Sequence, residues 1–228
     1  MEGDAVVIFV EANIGGGKSS FLEAMKRHLP GCAVVPESVP KKYLPKLYED
    51  LGTWAYPFQL IIAAERKFCQ DEALELEKTL GTKLVFLERS LYADSIFANL
   101  IIQDAGEKSK YLKFRECLGN IVAQPDLIIY LFSPPEVCLE RIKSRMNCQP
   151  DRKCEDVVDL EYLRKLHEGH ESWLRKLPGV LVIDTTVYDC RRDDHARKII
   201  EMISDQLACP KSQPVNYIPY MNFSPSPA

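Results

Sequence analysis

No run of apolar residues in this chain approaches the roughly 20 that span a bilayer, so no membrane partner is expected. Base is not in excess either: 29 Lys and Arg stand against 33 Asp and Glu, a net charge of −4. A duplex binder needs a basic face, so no nucleic-acid partner is expected, although a local basic site for a small anion stays open. The eight cysteines include no Cys-x2-Cys pair, and 228 residues can build a core without staples. They read as reduced apolar side chains in a cytosol-like compartment. Met1-Glu2-Gly3-Asp4 carries acid where a signal or transit peptide carries base, which points to a cytoplasmic location. His167-Glu168-Gly169-His170 misses the zinc pattern H-E-x-x-H by one position, so both histidines read as packing or surface residues. A guanine-reading N-K-x-D is absent, against a GTPase switch.

Short apolar runs alternate with amphipathic stretches. Ala5 to Val10, Ala33 to Val35, Leu84 to Leu87, Leu127 to Phe132 and Val180 to Ile183 predict buried strands, each too short for a helix. Helical patterns cover Phe21 to Leu29, Phe58 to Leu80, Ser90 to Ala105, Tyr111 to Ala123, Pro135 to Met146, Asp159 to Leu174 and Asp194 to Leu207. This alternation predicts an α/β fold, a doubly wound five-stranded parallel sheet in one domain spanning residues 1–208. Residues 209–228 hold five of the fifteen prolines and read as a proline-rich tail.

After the first strand comes Ala12-Asn13-Ile14-Gly15-Gly16-Gly17-Lys18-Ser19, the phosphate loop A-x4-G-K-S with Ala for its first Gly. Glycines let backbone N–H groups close around phosphate oxygens, and the following helix adds its positive end. Lys18 would reach the β and γ phosphates, and the Ser19 hydroxyl would ligate Mg2+. Asn13, Ile14, Gly15, Gly16, Gly17, Lys18, Ser19 and Ser20 are thus the ATP-binding candidates. Charged residues close two further strands, in Val35-Pro36-Glu37 and Phe86-Leu87-Glu88-Arg89-Ser90. Such positions point into the ligand crevice of a parallel sheet. Trp54-Ala55-Tyr56-Pro57-Phe58-Gln59 opens the long helix, with Arg66 two turns later.

With these blocks in place, the chain closely resembles the deoxyribonucleoside kinases over roughly residues 5–207. The resemblance is carried by E-A-N-I-G-G-G-K-S-S at 11–20, V-P-E at 35–37, P-F-Q at 57–59, E-R-S-L-Y-A-D at 88–94, I-I-Y-L at 128–131 and L-E-Y-L-R-K-L-H-E-G-H-E-S-W-L at 160–174. It implies that Glu37 is the general base for the nucleoside 5′-hydroxyl. It implies that Arg89 holds the 5′-oxygen and the phosphoryl group, and that Glu88 helps Ser19 hold Mg2+. Gln59 would bond the base edge, Tyr48 and Glu155 the sugar 3′-hydroxyl, and Phe58, Phe97 and Leu44 would wall the base. The combination Arg66 and Asp94 goes in the family with deoxycytidine and purine deoxynucleosides, because it fills the space of the thymine methyl. Ile62 is bulkier than the residue usual beside this arginine.

Arg141 and Arg145 share a helix face and begin an arginine lid, about 141–158. Where the family carries R-x3-R-x-R, position 147 is Asn. Counting back from Leu160-Glu161-Tyr162 puts Arg152 in the third arginine's place. Such lids close over ATP and neutralise charge on the transferring phosphoryl group. Cys148 and Cys154 sit in a segment that looks inserted. The resemblance further implies a homodimer through helices around residues 90–123. Two rivals stand beside this reading: a nucleoside monophosphate kinase, and a non-catalytic relative such as the accessory subunit of respiratory complex I that shares the fold.

Overall fold

The structure is a computed structural model that describes residues 6–40, 42–80, 84–119 and 124–208. The proline-rich tail expected at 209–228 and residues 120–123 of the fourth expected helix lie outside the described residues. The five expected strands are present: β1 (Val6–Ala12), β2 (Ala33–Val35), β3 (Leu84–Glu88), β4 (Leu127–Phe132) and β5 (Leu181–Asp184). All pair in parallel, in the order β2-β3-β1-β4-β5. From central β1 the chain passes to the edge strand β2 and returns to β3 beside β1, then builds outward through β4 to β5 on the other side. The crevice therefore opens at the carboxyl ends of β1 and its neighbours.

Alternation along the strands assigns the two faces. Val7, Phe9, Val85, Leu87, Ile128 and Tyr130 pack with Cys69 and Ala73 of α3 (Leu51–Leu80), Ile96 of α4 (Asp94–Ile101) and Leu166 and Trp173 of α7 (Leu160–Leu174). Ile8, Val10, Ala12, Phe86, Ile129 and Leu131 pack with Phe21 and Met25 of α1 (Lys18–His28) and Ile199 and Ile203 of α8 (Asp193–Ala208). A third cluster lies beside the sheet. There Leu44 and Leu47 of α2 (Leu44–Glu49) meet Phe58 and Ile62 of α3 and Tyr111 of α5 (Ala105–Gly119).

Helix boundaries moved where polar caps outweighed apolar periodicity. The third helix starts at Leu51 rather than Phe58, because Asp50 caps it: its Oδ1 accepts from Thr53 N at 3.0 Å. Pro57 lies inside that helix, in its second turn, where it withholds the backbone hydrogen bond to the carbonyl of Thr53. The expected helix from Ser90 to Ala105 is split. A short 3₁₀ turn, Leu91–Ala93, leads into α4, and Asp104 then caps α5 through Glu107 N at 2.8 Å. The helix α2 and the 3₁₀ segment Pro150–Val157 were not expected; each begins beside a proline in a polar stretch that reads as loop.

His170 is fully buried, hydrogen-bonded through Nδ1 with Leu166 O at 2.7 Å, stacked on Tyr130 and edge-on to Phe97. Burial drives its pKa down from 6.5 to about 3, helped by the charge of Arg89. The unfolded chain therefore binds a proton that the folded chain refuses between those values. Stability should fall as pH drops from about 6.5 toward 3. Urea midpoints at pH 5 and pH 7 should differ less for His170→Gln than for the parent chain; an equal difference would show that other groups set the slope.

Candidate active site

The turn from β1 into α1 forms the first wall. Gly15 and Gly17 have φ of 75° and 92°, in the left-handed region that side chains rarely adopt. A Cβ on Gly15 would also lie 2.5 Å from Cys138 O, so α6 (Pro135–Cys148) presses directly on the loop. Ala12 is tolerated at its departure from the usual glycine, since Arg89 is the only non-glycine of positive φ among the described residues. α1 starts at Lys18 with no side-chain cap, which leaves its first N–H groups toward the cleft. Ile14, Gly15, Gly16, Gly17, Lys18, Ser19 and Ser20 line the cleft. The Asn13 side chain does not face it. Asn13 Oδ1 accepts from Ile14 N at 2.8 Å and Nδ2 donates to Leu163 O at 2.9 Å, tying the loop to α7. Lys18 Nζ rests against Asn13 O at 3.4 Å. Burial, together with the positive charge of Arg89, lowers its pKa to about 8.

At the ends of β2 and β3 the charged groups converge. Glu37 Oε2 accepts from Arg89 Nε at 3.2 Å, and Glu37 Oε1 accepts from Arg66 Nη2 at 2.7 Å and Nε at 3.1 Å. Burial pushes the Glu37 carboxyl upward, but Arg89, Arg66 and Lys18 outweigh it and hold its pKa at about 2. Arg89 Nη1 also donates to Ala12 O at 2.9 Å, joining this cluster to the phosphate loop. Both guanidiniums lie over Phe97, at 4.7 Å for Arg89 and 5.4 Å for Arg66. Glu88 lines the cleft and accepts from Glu37 N through Oε2 at 3.3 Å. Asp94 is placed behind the cleft wall: it is fully buried and holds Arg66 Nη1 at 2.5 Å, while Tyr111 donates its hydroxyl to the other oxygen. Any effect of Asp94 on a ligand runs through Arg66.

The second wall is apolar. Leu44, Leu47, Tyr48, Phe58, Ile62, Phe97 and Tyr162 line it. Gln59 stands among them, 3 % exposed, and its Oε1 has no hydrogen-bond partner. A buried amide oxygen left open costs free energy unless something fills the site. The whole cleft encloses about 910 Å³, enough for two nucleoside-sized groups.

The third wall comes from α6 and the segment after it. Arg141 donates to Ser133 Oγ at 3.1 Å, Thr185 Oγ1 at 2.9 Å and Thr185 O at 3.1 Å, and so is anchored to the ends of β4 and β5. Arg145 and Arg152 converge on Glu155, at 2.5 Å and 3.0 Å. Arg152 thus lines the cleft beside Arg145. None of Cys32, Cys69, Cys117, Cys138, Cys148, Cys154 and Cys190 is in a disulfide. Tyr162 and the loop Tyr188-Asp189-Cys190-Arg191 after β5 also line the cleft. Sequence reasoning missed them: Tyr162 looks like one more amphipathic position, and the loop carries no motif.

Ser19 and Glu88 offer two hard oxygen donors in the cleft, and the described residues hold no cluster of three or more His, Cys, Asp or Glu able to cage a metal. Few protein oxygens completed by substrate phosphates is the manner in which Mg2+ is bound, so the residues fit that ion.

Comparison with known proteins agrees with this geometry. The profile of the family described as deoxynucleoside kinase matches residues 8–208. Deoxycytidine kinase of Bos taurus is 31 % identical over 241 residues, covering 88 % of this chain and 90 % of the relative. Deoxycytidine kinase of Homo sapiens is 32 % identical over 198 residues, 73 % of this chain and 74 % of the relative. Deoxyadenosine kinase of Dictyostelium discoideum is 30 % identical over 174 residues, 75 % of this chain and 67 % of the relative.

Proposed function

The chain belongs to the deoxynucleoside kinase family, and on that premise we propose that it transfers the γ-phosphate of ATP to the 5′-hydroxyl of deoxycytidine or a purine deoxynucleoside in preference to thymidine. The observation that carries the reading is the junction of three parts. An apolar pocket holding the unpartnered Gln59 amide meets the phosphate loop, and the Glu37–Arg89–Arg66 cluster lies where they join.

In this reading the nucleoside base stacks against Phe58 and Phe97, with Leu44 closing the pocket, and bonds Gln59. The amide can both donate and accept, which suits a base edge. Arg66, braced by Asp94, fills the space that a thymine methyl needs. Tyr48 and Glu155 meet the sugar. Glu37 accepts the 5′-hydroxyl proton and Arg89 steadies the oxygen as it attacks. Lys18 and the loop amides hold the donor phosphates, while Arg141, Arg145 and Arg152 offset charge on the transferring group. Ser19 and Glu88 would hold Mg2+, which neutralises charge across the phosphate oxygens.

The test is a rate comparison over the four natural deoxynucleosides with ATP and Mg2+. Deoxycytidine or a purine deoxynucleoside should exceed thymidine in kcat/KM by at least about tenfold, the size of a single steric or polar mismatch in a pocket. Comparable use of thymidine would overturn the role of Arg66 and Asp94. Deoxycytidine monophosphate should not serve as acceptor, because a carboxylate at Glu37 repels an acceptor phosphate. A faster rate with it would favour the monophosphate kinase.

The same reading includes a homodimer through α4 and α5, checked by the mass in solution, and a cytoplasmic location. No helix among the described residues is long and apolar enough to cross a membrane.

A further inference from the structure

Glu11 is a fully buried acid in the central strand, and no step above uses it. Its strand neighbours Val10 and Ala12 belong to the apolar core. In the β1–β3 register Val10 stands opposite Glu88, which brings Glu11 level with the end of β3. Glu11 Oε1 accepts two hydrogens from one residue, Ser90 N at 2.8 Å and Ser90 Oγ at 2.5 Å. Its Oε2 is buried without a partner. An acid in this position is costly, and burial raises its pKa against the pull of Arg89 and Arg66.

What Glu11 holds is the peptide that follows Arg89. Arg89 has φ of 65°, and no other non-glycine among the described residues is left-handed. Arginine enters that region only when its surroundings over-determine it. Here they do so from both sides: Arg89 N donates to Val10 O at 3.0 Å, and the next N–H is taken by Glu11. Ser90 Oγ in turn accepts from Tyr92 N at 3.2 Å, so the clamp also starts the turn into α4. A residue 89 that simply continued the alternation of β3 would not turn back on the strand ends. The left-handed one brings its guanidinium to Ala12 O at 2.9 Å and Glu37 Oε2 at 3.2 Å.

We propose that Glu11 is a positioning residue for phosphoryl transfer: by accepting both hydrogens of Ser90 from the central strand, it locks Arg89 in the left-handed conformation that aims its guanidinium at Glu37 and the phosphate loop. The inference rests on the role of Arg89 proposed above.

The test uses the full chain with ATP, Mg2+ and the fastest nucleoside of the four-way comparison. Glu11→Leu keeps the bulk and removes both acceptors. Its kcat should fall on the order of 100-fold, the cost of misplacing a catalytic group by about an ångström, with nucleoside KM within about threefold. Glu11→Gln keeps an oxygen that can accept both hydrogens and should stay within about threefold of the parent in kcat. Ser90→Ala removes one of the two bonds and should fall between them; it serves the same purpose should the leucine variant not fold. Arg89→Ala combined with Glu11→Leu, or with Ser90→Ala, should be no slower than Arg89→Ala alone, because the clamp acts through that arginine. Losses that multiply overturn the proposal and leave Arg89's role intact. A glutamine variant as slow as the leucine variant overturns it too, since charge and not the clamp would then matter. A parent-like rate for Arg89→Ala overturns the role of Arg89 and the clamp together.

Discussion

Glu37→Gln should lower kcat by about 1,000-fold, within the range that removal of a general base produces. Nucleoside KM should move far less, because the amide keeps the side chain's size and still offers an oxygen to one of the two arginines. Glu37→Asp should fall between the two, keeping the charge but withdrawing it by one methylene. A pKa near 2 makes Glu37 a weak base at rest, held ionised by Arg89, Arg66 and Lys18 against the effect of burial. That suits this chemistry. The phosphoryl group passes through a loose transition state, in which the attacking oxygen becomes acidic only late, so the base must be in place more than it must be strong. With its folded pKa at about 2, Glu37 is ionised throughout the working range, and kcat/KM should show no acid limb of its own between pH 5 and 8. The same ion pairs stabilise the fold, by an amount present above the carboxylate's ordinary 4.5 and lost as pH falls toward 2. A Glu37→Gln enzyme with unchanged kcat would remove Glu37 from the chemistry and leave it as an anchor for the two arginines.

Lys18→Met should be nearly as damaging, slowing kcat by about 100- to 1,000-fold, as loss of a preorganised transition-state donor does. It should also make the protein more stable. Below pH 8 the lysine is charged in both folded and unfolded chains, and the folded chain carries the cost of burying it. Between about 8 and 10.5 the unfolded chain holds the extra proton, so the parent's stability should rise with pH there, and the methionine variant should lose that rise. Nucleotide binding gives the matching signal. Triphosphate favours the charged lysine, so affinity for ATP should weaken as pH rises past about 8, with proton uptake seen by calorimetry in two buffers. A variant both slower and less stable would mean that Lys18 is held by contacts that the buried charge does not explain. Activity bought with stability is usual for groups desolvated to meet a ligand.

Much of this was legible because it is local. A strand, three glycines and Lys-Ser at fixed spacing make a phosphate loop wherever they occur, since the geometry closes within a few residues. The acids and arginine ending two strands were readable for a similar reason, because in a parallel sheet those ends face one crevice. What stayed hidden depends on residues distant in sequence. Asn13 looks like a phosphate contact, but Leu163, 150 positions later, claims its side chain. Asp94 looks like a wall of the pocket, but Tyr111 and Arg66 enclose it. Glu11 reads as one more letter of the loop motif until Ser90 is seen to lie against it.

The amino-acid order alone determined the family, the strand order of events along the chain and the types of group at the site, because periodicity and loop chemistry act over a few residues. The tertiary structure decided which of those groups face the cleft, which stand behind it, and that Arg89 is held left-handed between Val10 and Glu11. Those are outcomes of long-range packing and buried hydrogen bonds, whose partners no spacing in the sequence announces.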